Sequence, residues 1–172
     1  MSWTRGLLAA LAIGALLGGS AGCGTGEAHG QQETVSASPV GKVLDDTDEK
    51  GRHYREVEGE HAPDVAVEVQ PDDAFDGWNV TLTVHNFRFS PAGSRAVAVA
   101  GRGTAVLFLD GRPLTRLRTP GHHLSGGLVT RGTHHLTARL YADDRTVWSV
   151  AGKPVESTAD ITASEATAGP TP

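Results

Sequence analysis

Apolar and polar residues alternate in several runs between Val65 and Leu140, and that alternation marks the region as strands of a sheet. Val65, Val67 and Val69 alternate with Ala66 and Glu68, and Val80, Leu82 and Val84 with Thr81, Thr83 and His85. Leu136, Ala138 and Leu140 alternate with Thr137 and Arg139. A period of two sends successive side chains to opposite faces, so each run has one apolar and one polar face. No stretch holds a 3.6-residue apolar period over a dozen residues. Gly, Pro and Asp interrupt the runs at Gln70-Pro71-Asp72-Asp73, Ser90-Pro91-Ala92-Gly93, Gly101-Arg102-Gly103, Ala142-Asp143-Asp144 and Ala151-Gly152-Lys153-Pro154. The clearest turn is Asp110-Gly111, between Ala105–Leu109 and Arg112–Leu117. Asp-Gly suits a type I′ hairpin, whose positive φ angles match strand twist. Pro113 has no N–H to donate and places the second of these strands at a sheet edge. Turns about every 8 to 12 residues over about 100 residues predict seven to nine short strands. The expected fold is all-β, an immunoglobulin-like antiparallel β-sandwich over residues 62–164. A single cysteine excludes an internal disulfide, so packing must hold the domain. Trp78, Phe87, Phe89, Phe108, Leu140, Trp148 and Ile161 are its core candidates.

The first 22 residues read differently. Arg5 precedes the apolar run Leu7–Leu17, after which Gly18-Gly19-Ser20-Ala21-Gly22 leads to Cys23. About 11 apolar residues match the hydrophobic region of a signal peptide and fall short of the roughly 20 that span a bilayer. Ala21-Gly22-Cys23 resembles the lipobox of bacterial lipoproteins, with Ser20 where Leu is usual. The resemblance implies a signal peptide over 1–22, diacylglycerol on the Cys23 sulfur, and a membrane partner reached through that lipid anchor. The expected location is the outer face of the cell membrane, after export by the general secretory route. Residues 23–61 show no sustained hydrophobic period and carry charged runs such as Asp45-Asp46-Thr47-Asp48-Glu49-Lys50. Such a segment buries too little apolar surface to offset ordering entropy, so it reads as a flexible, disordered linker. The tail 165–172 reads the same way.

The net charge of −5 argues against a nucleic-acid partner, which a basic face would have to meet. Enzyme signatures are missing: there is no Gly-x-Ser-x-Gly elbow, no His-Glu-x-x-His and no phosphate-binding Walker loop. Asp143-Asp144 sits at a turn, where Asp serves backbone geometry. The expectation is therefore no enzyme and no cofactor. The first functional reading is a non-enzymatic binding or structural module facing an envelope protein or cell-wall polymer. Eight histidines support a second reading, an envelope copper- or zinc-binding lipoprotein. Neighbours in a strand point to opposite faces, so His122-His123 and His134-His135 each offer one ligand per face. That site would combine His123 with His134 or His135 and a third ligand, His85 or Asp143.

One further resemblance covers about Gly77 to Thr162. Gly77-Trp78-Asn79, Asn86-Phe87-Arg88-Phe89-Ser90-Pro91, the Asp110-Gly111 hairpin, Pro120–Leu124, Leu140–Asp144 and Gly152–Thr158 recur in that order in an uncharacterised family of exported bacterial β-sandwich modules, which this region resembles. Members of that family often carry His-x-His before the Asp-Gly turn and another His after a later turn. Thr104, Val106 and Arg145 stand at those positions here, and only His123 corresponds to a family histidine. If the family histidines bind metal, the resemblance implies that most of the site is missing from this chain.

Overall fold

The computed structural model describes residues 40–164 apart from 73. Two β-sheets pack face to face, giving an all-β sandwich. The described residues form twelve strands, more than the seven to nine expected. They are β1 (Lys42–Thr47), β2 (His53–Glu56), β3 (Asp64–Pro71), β4 (Gly77–His85), β5 (Arg88–Phe89), β6 (Arg102–Leu109), β7 (Arg112–Leu117), β8 (Gly121–Ser125), β9 (Gly132–Tyr141), β10 (Val147–Val150), β11 (Lys153–Pro154) and β12 (Glu156–Ala163). The smaller sheet has the order β3-β4-β8. The larger runs β1-β2-β10-β9-β6-β5, with β7 on β6, β12 on β9 and β11 on β10. Pairing is antiparallel except at β2/β10 and β5/β6, which are parallel and depart from the all-antiparallel expectation. Among the described residues no helix is long and apolar enough to cross a membrane.

The alternating runs become strands because pairing puts their apolar positions opposite one another. Across β3 and β4, Val65 faces Val84, Val67 faces Leu82 and Val69 faces Val80. Cross-strand pairs of this kind are the unit of sheet stability. Their apolar face meets Ala105 and Leu107 of β6, Leu136, Ala138 and Leu140 of β9, Trp148 of β10 and Ile161 of β12 in one core. Trp148 is fully buried, and its indole N–H donates to the Arg102 carbonyl at 3.3 Å. Phe87 meets Phe89 edge to face at 5.4 Å. All seven residues named as core candidates pack in or against the core clusters.

The Asp110-Gly111 hairpin forms as its sequence requires. Leu109 pairs with Arg112, and both turn residues have positive φ, 50° and 75°. β7 pairs with β6 alone, so Pro113 does lie on an edge strand, where two steps along β7 match one along β6 at Leu107/Phe108. Gly103 carries a tighter constraint. Its φ is 153°, and a Cβ there would collide with the Tyr141 carbonyl oxygen where β6 approaches β9.

The reading of residues 23–61 as a coil fails from Lys42 onward. β1 and β2 form a hairpin, and β2 joins the large sheet beside β10. No apolar period announced them, because they are mostly exposed or half-buried strands at the margin of the sheet, and the turn between them meets the outer face of the sheet through the polar groups of Asp48 and Arg52. β6 is buried on both sides: Val106 and Phe108 lie on that outer face with Tyr141, Val147 and the partly buried Tyr54. The Asp48 carboxylate has no exposed surface and accepts from the amides of Lys50 and Arg52, both at 2.9 Å, and from Arg52 Nε at 2.7 Å. The signal peptide 1–22, Cys23, the linker as far as 39 and the tail 165–172 lie outside the described residues.

Candidate binding surface

The four histidines of the metal reading go to separate places. His123 on β8 lies opposite Asn79, 3.4 Å from the Asp72 carboxylate and edge-on to Phe75. His134 and His135 are neighbours on β9 and engage different carboxylates. His134 Nδ1 lies 2.7 Å from Asp110, and His135 Nδ1 lies 2.7 Å from its cross-strand neighbour Asp160. His134 Nε2 also meets the Thr130 carbonyl at 2.8 Å. Both nitrogens of that ring therefore face acceptors, which favours the doubly protonated imidazolium. Asp110, then Thr130, raise the His134 pKa above its ordinary value. His85 ends β4 opposite Asp64, and Asp143 accepts from the Ser90 hydroxyl at 2.6 Å. Among the described residues no three His, Cys, Asp or Glu side chains converge on a point where an ion could be held. Asp144 serves its turn, accepting from the Thr146 amide and hydroxyl, and also pairs with Arg55 at 2.6 Å.

A surface that the sequence did not single out is built from arginines. On the outer face of the large sheet, one group is neutralised. Arg52 pairs with Asp48, and Arg139 pairs with Glu156 at 2.6 Å and Glu49 at 2.9 Å while lying over the Phe108 ring. Burial opposes ionisation of Asp48, but the amides of Arg52 and Lys50 and the Arg52 guanidinium outweigh it and hold the pKa below the ordinary value. Tyr141, with Arg52 4.3 Å from its ring centroid, has its pKa pushed up to about 12 by burial.

A second group is not neutralised. Arg116 on β7 donates to the buried Thr104 hydroxyl at 2.6 Å and lies 5.7 Å from the centroid of the same Tyr141 ring. Arg118 spends one nitrogen on the Ser90 and Pro91 carbonyls, both at 3.0 Å. Arg145 occupies the β9–β10 turn at φ 75°. Among the described residues none of the three has a carboxylate within ion-pair distance. Burial, then the charges of Arg52, Arg118 and Arg145, lower the Arg116 pKa.

Next to this group, the segment between β5 and β6 borders two open clefts. One, of about 370 Å³, is lined by Ser94, Arg95, Val97, Val99, Arg102 and Asp143. The other, of about 570 Å³, takes in His61, Asn86, Phe87, Arg88 and again Arg102. Val97 and Val99 are 61% and 42% exposed and line the first of these clefts. Arg118 ties this end together, because the Ser90 and Pro91 carbonyls it holds begin the same segment.

The fold and this surface define a small all-β sandwich with a cationic, partly apolar end. No family model, curated protein or solved structure matches the chain.

Proposed function

We propose that the chain is a lipid-anchored protein of the cell envelope. Lipid on Cys23 holds it at the outer face of the membrane, and the sandwich is a non-enzymatic module that binds an envelope protein or cell-wall polymer. The cleft lined by Arg95, Val97, Val99 and Arg102 carries the binding part of this reading. Exposed valines flanked by guanidinium groups suit a partner that presents apolar surface and negative charge together. A packed sandwich holding irregular loops at its end is a common way to present such a surface. The anchoring part rests on the sequence at Ala21-Gly22-Cys23.

Two experiments in cells test the two parts. Cys23→Ser should move the protein out of the membrane fraction, and unchanged detergent partitioning would refute the anchor. A photo-cross-linking residue at Val97 of the full chain should give one discrete adduct, identified by mass spectrometry and lost when Arg95 and Arg102 are both changed to Gln. The absence of any adduct, or one indifferent to those arginines, refutes the cleft as a binding site.

A further inference from the structure

We propose that Arg116, Arg118 and Arg145 form a site for a phosphate group carrying more than one negative charge. This deepens the reading of the chain as a binding module and rests on it. The geometry gives three reasons. First, the fold brings the three to one end of the large sheet: Thr104, which takes Arg116, pairs with Tyr141 just before the turn that carries Arg145, and Ser90, whose carbonyl takes Arg118, donates its amide to Gly103 beside Thr104. Among the described residues acidic groups pair with Arg52, Arg55 and Arg139, but none lies within ion-pair distance of these three. Clustered like charges repel, and Asp143, the carboxylate on this side, is turned to the Ser90 hydroxyl rather than to these arginines, so an anion that meets them relieves the repulsion. Second, Arg116 is held in place. Its Nη1 is fixed by the buried Thr104 hydroxyl, and its guanidinium lies near the face of the buried Tyr141 ring, so part of the ordering cost is met before a ligand arrives. Arg118 is likewise tied through Nη1 to two carbonyls, which leaves its other N–H groups to donate. Third, charge decides the ligand class. A single carboxylate would leave most of the positive charge unmatched, whereas a phosphomonoester or pyrophosphate brings close to two charges or more and several acceptor oxygens that fit guanidinium forks.

The test uses the full chain carrying Cys23→Ser, titrated with inorganic pyrophosphate by calorimetry at low and high salt. Saturable binding that weakens with salt is expected. Arg116→Gln and Arg145→Gln should each weaken it at least about tenfold, the scale of one lost hydrogen bond to a charged group. Arg145 has no side-chain partner among the described residues, so R145Q reports on the site even if R116Q disturbs packing on Tyr141. No saturable binding by the native chain, or unchanged affinity in both variants, overturns the assignment. Equal affinity for polyglutamate with the same arginine dependence also overturns it, in favour of an acidic polypeptide. Two further arms name the source of the phosphate. Binding to phosphatidylcholine vesicles only when they contain phosphatidic acid supports a lipid headgroup, and binding to short-chain polyphosphate alone supports a soluble or polymeric phosphate. The Val97 adduct separates this failure from failure of the module reading. If R116Q and R145Q leave the adduct intact and pyrophosphate does not bind, the phosphate site falls while the module stands.

Discussion

Replacing Asp48 by Ala removes the acceptor that pins the β1–β2 hairpin to the outer face of the large sheet. Two amides, Arg52 Nε and, at 3.4 Å, the Tyr141 hydroxyl converge on this carboxylate. An orphaned buried donor costs about 1–3 kcal/mol, and breaking a buried ion pair costs about 3–5 kcal/mol. The Arg52 side chain is 23% exposed, so water recovers part of the loss and about 3 kcal/mol remains. Asp48→Asn keeps one acceptor oxygen but points an NH₂ at donors, for about 2 kcal/mol. With a urea slope of about 1.5 kcal/mol per molar, D48A should lower the midpoint by about 2 M. The assay is urea unfolding of the full chain, read by the fluorescence of buried Trp148, with tryptic cleavage at Lys50 and Arg52 as a local readout. Acid should erase the difference between native chain and variant. A carboxylate with a depressed folded pKa contributes fully above its unfolded value of about 3.9 and loses that contribution as pH falls through its lower folded value. A midpoint shift worth less than about 0.5 kcal/mol, with unchanged cleavage, would refute the reasoning and return residues 42–56 to the status of a tether.

Three other outcomes are expected. Gly103→Ala should destabilise by about 3 kcal/mol or more in the same assay, because L residues resist that φ and the Tyr141 carbonyl occupies the space; a near-neutral result refutes the close approach of β6 to β9. Asp110→Asn should return the His134 pKa toward its ordinary value in an NMR titration. The stabilisation from that pair is present below the unfolded histidine pKa of about 6.5, while Asp110 stays ionised, and fades as pH rises through the higher folded value, so D110N should cost more stability at about pH 5–6 than above the folded histidine pKa. Micromolar Zn²⁺ or Cu²⁺ should leave the unfolding midpoint unchanged, since His85, His123, His134 and His135 do not converge; a saturable rise abolished by His123→Ala would contradict that placement.

The parts of the fold that were legible in the sequence are those with one dry face and one wet face. Val65-x-Val67-x-Val69 and Leu136-x-Ala138-x-Leu140 announce their inward sides, and Asp110-Gly111 announces its turn, because burial and φ act on each residue locally. β1 and β2 were invisible for the opposite reason. Asp48 and Arg52 look like solvent-facing charges until the sheet supplies Tyr141 and Arg139 as neighbours. The arginine surface was hidden in the same way, because the end of β7 with Arg116 and Arg118 and the β9–β10 turn with Arg145 come to one end of the sheet only through the pairing of both strands with β6. A local hint was Arg116-x-Arg118, two like charges two residues apart at the end of a strand that Pro113 had already marked as an edge. The histidine pairs were conspicuous in the sequence, but β9 sends neighbouring rings to Asp110 and Asp160, and side chains turned toward separate carboxylates cannot share an ion.

The irregular rim at β7 also governs how copies of the protein behave in a crowd. A bare sheet margin is a template on which another molecule can add its own strand, and such growth ends in fibres. Here Pro113 withholds a donor and the register slip beside it interrupts the ladder. Copies that meet along this rim therefore find a poor template for adding a strand.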